Sequence, residues 1–361
     1  MNPYQTTPGS TDEPVLFTPN GSDQVEVRRH FSKLGLAYLV MTVSFMAAAY
    51  IGQFAVLYLA PSLMSEWWFN WVVSLVPLYV VGLPVLWLCL RRVPTSSHNL
   101  DYTLKGETSE KTPFGVKSWL ILLVIGFGCM TAGGLLGNFI MAFLSAFMQY
   151  DYAFALNSMV ADTPVWFTFI CTCVCAPFGE ELIFRKLLID RTRRYGDLPA
   201  ILISGLLFGL FHGNLFQFFY AALLGMVLAY VYTRSGRYLP CVAMHAAINF
   251  VGSIVTPALS SRFVEYMQTD LMNEQVMAEL ITDASFLLAL LGYLVVMLWQ
   301  YGMLTAGVVL FAVFFRKRKF SRGSSPLGDS GRYDVALVNP GMIACLAVML
   351  LLVLINLIPI G

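Results

Sequence analysis

The sequence predicts an all-α polytopic membrane protein, a bundle of about nine transmembrane helices with a polar site inside the membrane. Hydrophobic residues make up 58% of the 361 residues and charged residues only 12%, whereas soluble domains average about 45–50% and about 25%. The apolar residues are gathered into runs that approach or exceed the roughly 20 residues a membrane-spanning helix needs. A few ionisable side chains interrupt these runs, and they predict the polar site.

The apolar runs define the predicted spans in chain order. They lie near 34–60, 67–90, 117–148, 164–189, 198–212, 215–233, 239–256, 284–315 and 342–360. The fifth run is short and stops at Gly213 and Asn214. The eighth is long enough for one tilted helix or for two short helices, so the charges beside it decide its interpretation.

Basic residues beside the span ends predict the orientation, because cytoplasmic loops carry an excess of Lys and Arg. Arg28, Arg29 and Lys33 precede the first span, and further basic clusters follow the second, fourth, sixth and eighth spans. With a single helix over 284–315, all these clusters fall on one side. We therefore expect nine spans with the N-terminus in the cytoplasm and the C-terminus outside.

The spans divide the chain into five predicted segments. Residues 1–33 are polar, lack an apolar signal-peptide core and predict a disordered cytoplasmic tail. Residues 34–148 hold three transmembrane helices, and 164–256 hold the helices with the intramembrane polar residues. The extracytoplasmic segment 257–282 predicts either an amphipathic helix on the membrane surface or a partly ordered loop. Residues 284–361 hold two helices joined by a basic inner linker.

Three closely spaced cysteines, Cys171, Cys173 and Cys175, have a spacing that suggests metal binding at first sight. Residues two apart on a helix point to nearly opposite sides. We therefore interpret these cysteines as small apolar side chains.

Ionisable and amide side chains inside the spans gather between positions 180 and 249. They are Glu180, Glu181 and Arg185 in the fourth span, His212 at the end of the fifth, and His245 and Asn249 in the seventh. At about 1.5 Å of rise per residue, the groups from the three spans reach similar depths in the middle and cytoplasmic half of the bilayer. A shared site requires such matching depths.

Helical geometry separates the two adjacent glutamates. Glu181 and Arg185 are four residues apart and share a face, so they can pair. Glu180 is rotated from Glu181 by about 100° and cannot use the same geometry. We assign Glu180 to catalysis and the Glu181–Arg185 pair to a supporting role. By the same spacing, Phe208 and His212 share one helix face, and so do His245 and Asn249.

Other interpretations of these polar residues are structural or transport-related. Buried polar side chains also join membrane helices by hydrogen bonds. Transporters place Glu and His in spans as proton or ion relays, but they are built from repeated halves with broken helices at matching positions. The sequence shows no such repeat.

Three short motifs on separate predicted spans resemble those of the CPBP family, the CAAX proteases and bacteriocin-processing enzymes that are also called Abi proteins. The matching residues are Glu180, Glu181 and Arg185 for EExxxR, Phe208 and His212 for FxxxH, and His245 and Asn249 for HxxxN. Each motif alone is weak, but all three in order are specific. The resemblance covers only this block of the chain.

The resemblance implies a helical intramembrane endopeptidase like the type II CAAX prenyl endopeptidases. It implies that Glu180 and His212 activate a water while His245 and Asn249 stabilise the oxyanion. Members of the family have been described both as metalloproteases and as metal-free, glutamate-dependent enzymes. Glu180, His212 and His245 also form a carboxylate and two-histidine set known from catalytic zinc sites, so we expect either no cofactor or zinc.

The expected partners follow from the same resemblance. We expect the protein to act in the lipid bilayer on a membrane-associated protein or peptide, with no nucleic-acid partner. The short loops between spans resemble those of a bacterial member in the plasma membrane, where bacteriocin processing is one implied role. The alternative is a non-catalytic membrane scaffold or a regulatory or immunity protein of the same fold, although such a protein is expected to have lost motif residues.

Overall fold

The computed structural model describes residues 21–95, 114–148, 163–267, 280, 282–316, 320 and 332–358. Over these ranges the chain is helical and contains no β-strand. The helices are α1 Gly21–Leu59, α2 Phe69–Leu90, α3 Val116–Met148, α4 Val165–Tyr195, α5 Asp197–Phe211, α6 Leu215–Ser235, α7 Leu239–Tyr266, α8 Ala284–Phe315, α9 Arg332–Leu337 and α10 Pro340–Ile355.

Seven of these helices, α1 to α4 and α6 to α8, are long and apolar enough to cross a membrane. The other two predicted spans correspond to shorter apolar helices, α5 with 15 residues and α10 with 16. The all-α polytopic fold class predicted from the sequence is confirmed. Helix α5 is short because Gly213 adopts a positive φ of 68° just after its end, and the Asn214 side chain caps α6 by accepting from the Gln217 backbone N–H at 2.8 Å.

Two helices extend beyond the spans predicted for them. Helix α1 begins at Gly21 instead of near 34, because Val27 and Phe31 on its first turns are buried in the core; residues 1–20 lie outside the described part of the chain. Helix α7 runs to Tyr266 instead of ending near 256. A π turn at Val251–Val255 precedes Pro257, and the altered hydrogen-bonding pattern lets the helix pass this proline.

Close helix crossings set the frame of the bundle. One apolar cluster joins α1, α2, α4, α5 and α10, and a second joins α3, α6 and α7 with parts of α4 and α5. Helix α6 packs along both α5 and α3. A Cβ atom placed on Gly225 of α6 would lie only 3.0 Å from the Gly205 Cα of α5. Small residues permit such close approach in membrane bundles, and this crossing fixes α5 beside the centre of the molecule.

Candidate active site

Helix α4 is irregular around its two glutamates. It contains π turns at Phe169–Cys175 and Leu182–Leu187, and these flank the short α-helical stretch Ala176–Glu181. Such π turns inside α-helices occur frequently at functional sites. Glu180 and Glu181 are thus the last two residues between two distortions of the same helix.

The ion pair expected between Glu181 and Arg185 is present and fully buried. Both side chains have no exposed surface, and the Arg185 Nε lies 2.9 Å from the Glu181 Oε2. The Arg185 Nη1 also donates to the Ser204 Oγ of α5 at 2.6 Å, and the guanidinium lies 4.8 Å from the centre of the Phe208 ring. The pair therefore connects α4 to α5 and holds Phe208 in place.

His245 of α7 lies between the two glutamates. Its Nδ1 is 2.9 Å from the Glu181 Oε1, and its Nε2 is 3.7 Å from the Glu180 Oε2. The ionised Glu181 carboxylate can only accept, so the His245 Nδ1 donates this hydrogen bond. The Glu181 carboxylate is thus held by Arg185 on one side and by His245 on the other, and His245 in turn faces Glu180.

Glu180 is the more accessible of the two glutamates. Its side chain is 15% exposed, against 0% for Glu181. Its Oε2 lies 3.7 Å from the His245 Nε2 of α7, and the residue before it, Gly179, lies against the Tyr79 ring of α2. The Glu180 carboxylate therefore faces α7 and keeps some access from outside the core.

His212 lies at the C-terminal end of α5 with a defined ring orientation. Its Nδ1 is 2.8 Å from the Phe208 backbone oxygen. A carbonyl oxygen only accepts, so Nδ1 carries the hydrogen and the Nε2 of the neutral ring is an acceptor. In the part of the chain that the structure describes, no hydrogen bond joins His212 directly to Glu180. Instead, the Phe208 ring packs edge-on against both His212 and His245.

Asn249 is hydrogen-bonded to the α4 backbone. Its Nδ2 donates to the Thr172 carbonyl oxygen at 2.7 Å. In the π turn, the Ala176 N–H bonds to the Cys171 oxygen, five residues earlier. The next bond of this pattern would join Thr172 to residue 177, which is a proline without an N–H. Asn249 therefore supplies the donor that Pro177 lacks, and a carboxamide has a second N–H for other contacts.

A double-mutant cycle tests this explanation of Asn249. In the native background, Asn249→Ala should lower the unfolding free energy by about 1–3 kcal/mol, because the Thr172 carbonyl loses its donor. In a Pro177→Ala background, the new backbone N–H can replace that donor and the penalty should shrink to less than half. Thermal unfolding of the four proteins in detergent measures the coupling. Equal penalties in both backgrounds would contradict the role assigned to Pro177.

Sequence reasoning missed Tyr79 and Ser204. Tyr79 lies in an apolar span where an aromatic residue carries no special signal, and only its contacts with Cys175 and Gly179 show its position. Ser204 had a usable signal: it precedes Phe208 by four residues and therefore lies on the same face of α5.

The arrangement of Glu180, His212 and His245 decides whether they can hold a zinc ion. A catalytic zinc site takes three protein ligands at about 2.0–2.3 Å from the metal. Within the described residues, no group of three or more His, Cys, Asp or Glu side chains is arranged to hold a metal ion. The predicted set of Glu180, His212 and His245 is not assembled, so these residues do not fit a zinc site in this arrangement.

The fold and the site together define a polytopic helical membrane protein with a buried Glu–His–Arg cluster where α4, α5 and α7 meet. Residues 162–251 match the family model described as "Type II CAAX prenyl endopeptidase Rce1-like". The matched segment contains all three motifs, and the match supports the CPBP and CAAX protease family. It also supports, in general terms, a CAAX-type intramembrane endopeptidase. No curated protein and no solved structure matches the chain.

Proposed function

We propose that the protein is an intramembrane endopeptidase that hydrolyses peptide bonds of membrane-associated proteins or peptides. The observation that carries the proposal is the position of His245, which lies between the buried Glu181–Arg185 pair and the more accessible Glu180. A carboxylate with partial access beside an oriented imidazole suits water activation. The family match over residues 162–251 supports the same reaction class.

Glu180 acts as the general base in this mechanism. A water molecule loses a proton to the Glu180 carboxylate as its oxygen attacks the carbonyl carbon of the substrate. His212 orients the same water, since its Nε2 is the acceptor of the neutral ring. When the tetrahedral intermediate collapses, the C–N bond breaks and the proton on Glu180 passes to the leaving amine.

His245 and Asn249 stabilise the oxyanion. The Glu181 carboxylate fixes the His245 ring through Nδ1, so that Nε2 is directed towards Glu180 and the substrate side. A protonated Nε2 donates to the developing negative charge, and the second N–H of Asn249 supplies another donor. In enzymes that catalyse acyl transfer, removal of one such donor lowers kcat by about 10²–10³-fold. The proposed mechanism is glutamate-dependent and has no step through a metal.

We also propose that the N-terminus is cytoplasmic. The His30 Nε2 of α1 is 2.8 Å from the backbone oxygen of Arg191 in α4. The basic residues at the start of α1 and at the end of α4 therefore lie at the same end of the bundle. This agrees with an orientation that places both groups on the cytoplasmic side.

The proposed function is tested with the full chain in proteoliposomes and a library of membrane-anchored peptides. We expect wild type to cleave a subset of the peptides, and Glu180→Ala and His212→Ala to lose this cleavage. Glu265→Ala is the matched control, because Glu265 is an exposed carboxylate at the far end of α7. Mass spectrometry of the products identifies the cleaved bonds.

Three outcomes would overturn parts of the proposal. Cleavage that survives in both Glu180→Ala and His212→Ala removes the catalytic assignment. A wild-type protein that cleaves no peptide in the library favours a non-catalytic scaffold of the same fold. Activity that disappears with a zinc chelator and returns with added zinc replaces the glutamate-dependent mechanism by a metal-dependent one.

A further inference from the structure

Tyr79 lies outside the segment that the family model matches, yet it contacts the backbone that carries the glutamates. Helix α2 contains Pro77 and, directly after it, a π turn at Leu78–Gly82. Tyr79 belongs to this turn, and its hydroxyl donates to the Cys175 backbone oxygen of α4 at 2.8 Å. Irregular turns of two neighbouring helices therefore meet at one tyrosine.

The Tyr79 ring also fills the space beside Gly179. A Cβ atom placed on Gly179 would overlap the ring and hydroxyl of Tyr79, so this tight contact requires glycine. Gly179 immediately precedes Glu180 in α4. The Tyr79 hydroxyl thus fixes α4 at Cys175, and the Tyr79 ring fixes it at Gly179, directly before Glu180.

Among the described residues, Tyr79 is one of three whose side chains, from outside α4, hydrogen-bond this stretch of the helix. Carbonyl oxygens three residues apart accept them: Thr172 from Asn249, Cys175 from Tyr79 and Phe178 from Tyr238. In a regular α-helix the backbone carbonyls accept hydrogen bonds from N–H groups of the same helix. Because these three α4 carbonyls accept from side chains outside α4, the neighbouring elements set the position of this segment.

We propose that Tyr79 is a positioning residue that directs the Glu180 carboxylate towards His245 and the substrate. The inference rests on the proposed function, in which Glu180 is the base. Tyr79 acts through the Cys175 carbonyl and the Gly179 contact, and it does not itself touch the reacting atoms. Loss of its hydroxyl frees the α4 segment to shift, and a displacement on the order of 1 Å misaligns a base and its water.

The test compares Tyr79→Phe with Tyr38→Phe in proteoliposomes with a peptide that wild type cleaves. Tyr38 is the matched control because its hydroxyl also donates to an α4 carbonyl, that of Ile183, at 2.6 Å, but beyond the glutamates. We expect Tyr79→Phe to lower kcat by about 3- to 10-fold with little change in KM, the effect of one lost hydrogen bond. Tyr38→Phe should lower thermal stability with kcat retained.

A second readout does not depend on turnover. A hydrophobic carbodiimide labels protonated carboxyl groups, and mass spectrometry follows labelling of Glu180 as a function of pH. Tyr79→Phe should move the midpoint of this labelling, whereas Tyr38→Phe should leave it at the wild-type pH. The inference is overturned if Tyr79→Phe keeps the wild-type kcat and labelling midpoint, or if both variants lose kcat in proportion to stability. A wild-type protein without cleavage is a failure of the proposed function instead.

Discussion

Glu180→Gln should reduce peptide turnover by about 10²–10⁴-fold, the usual contribution of a general base. The amide has nearly the same shape as the carboxylate, so the neighbouring Glu181–Arg185 pair and its bond to His245 should persist. The amide cannot take a proton from water, however, and the attacking hydroxide equivalent is not formed. Steady-state kcat and KM in proteoliposomes measure the effect, and kcat should carry most of it.

The matched control for this substitution is Glu265→Gln, which changes an exposed carboxylate of α7 in the same way. Both variants should unfold at the wild-type temperature, since among the described residues Glu180 makes no side-chain hydrogen bond and only approaches the His245 Nε2 to 3.7 Å. Near-normal turnover of Glu180→Gln together with an inactive His212→Ala would transfer the role of base to His212.

Local spacing was sufficient to predict the parts of the site that lie on one helix. Glu181 and Arg185 are four residues apart and form the expected pair at 2.9 Å. Phe208 and His212 likewise share a face of α5, and their rings are in contact. The spans were predictable for a similar reason, because each helix carries its own apolar run.

Contacts between helices could not be predicted in the same way. His245 bonds to Glu181 through Nδ1, and the spacing gave no indication of which glutamate it would meet. A π turn holds about one extra residue, so it rotates all later side chains by roughly 100° relative to a regular helix. The two π turns of α4 therefore change the directions in which Cys175 and Glu180 point relative to the rest of the helix. Pro177 is the one feature of the local sequence that indicates such a turn.

Arg185→Ala should lower the unfolding free energy by about 3–5 kcal/mol, the cost of removing one partner from a buried ion pair. Arg185 is fully buried and bonds both Glu181 and Ser204, so its loss leaves the Glu181 charge without its cation. Unfolding in mixed detergent micelles measures the change. A penalty no larger than that of an exposed lysine would contradict the prediction.

The neighbouring residue provides that comparison on the same helix. Lys186 pairs with Asp190 at 3.7 Å with the same i, i+4 spacing, but its side chain is 49% exposed. Lys186→Ala should therefore cost less than about 1 kcal/mol. The difference between the two substitutions reports the burial of the pair together with the Arg185 bond to Ser204, since spacing, helix and sign of charge are shared.

A double variant, Glu181→Gln with Arg185→Met, separates the structural contribution of the pair from its catalytic one. It removes both buried charges while keeping similar side-chain volumes, and most of the stability lost in Arg185→Ala should return. Catalysis should not return, because a neutral amide no longer holds a protonated His245 through Nδ1 and the oxyanion loses its charged donor. A stable but slow double variant supports a role of Glu181 and Arg185 in positioning His245. A stable variant with wild-type turnover assigns the pair to folding alone.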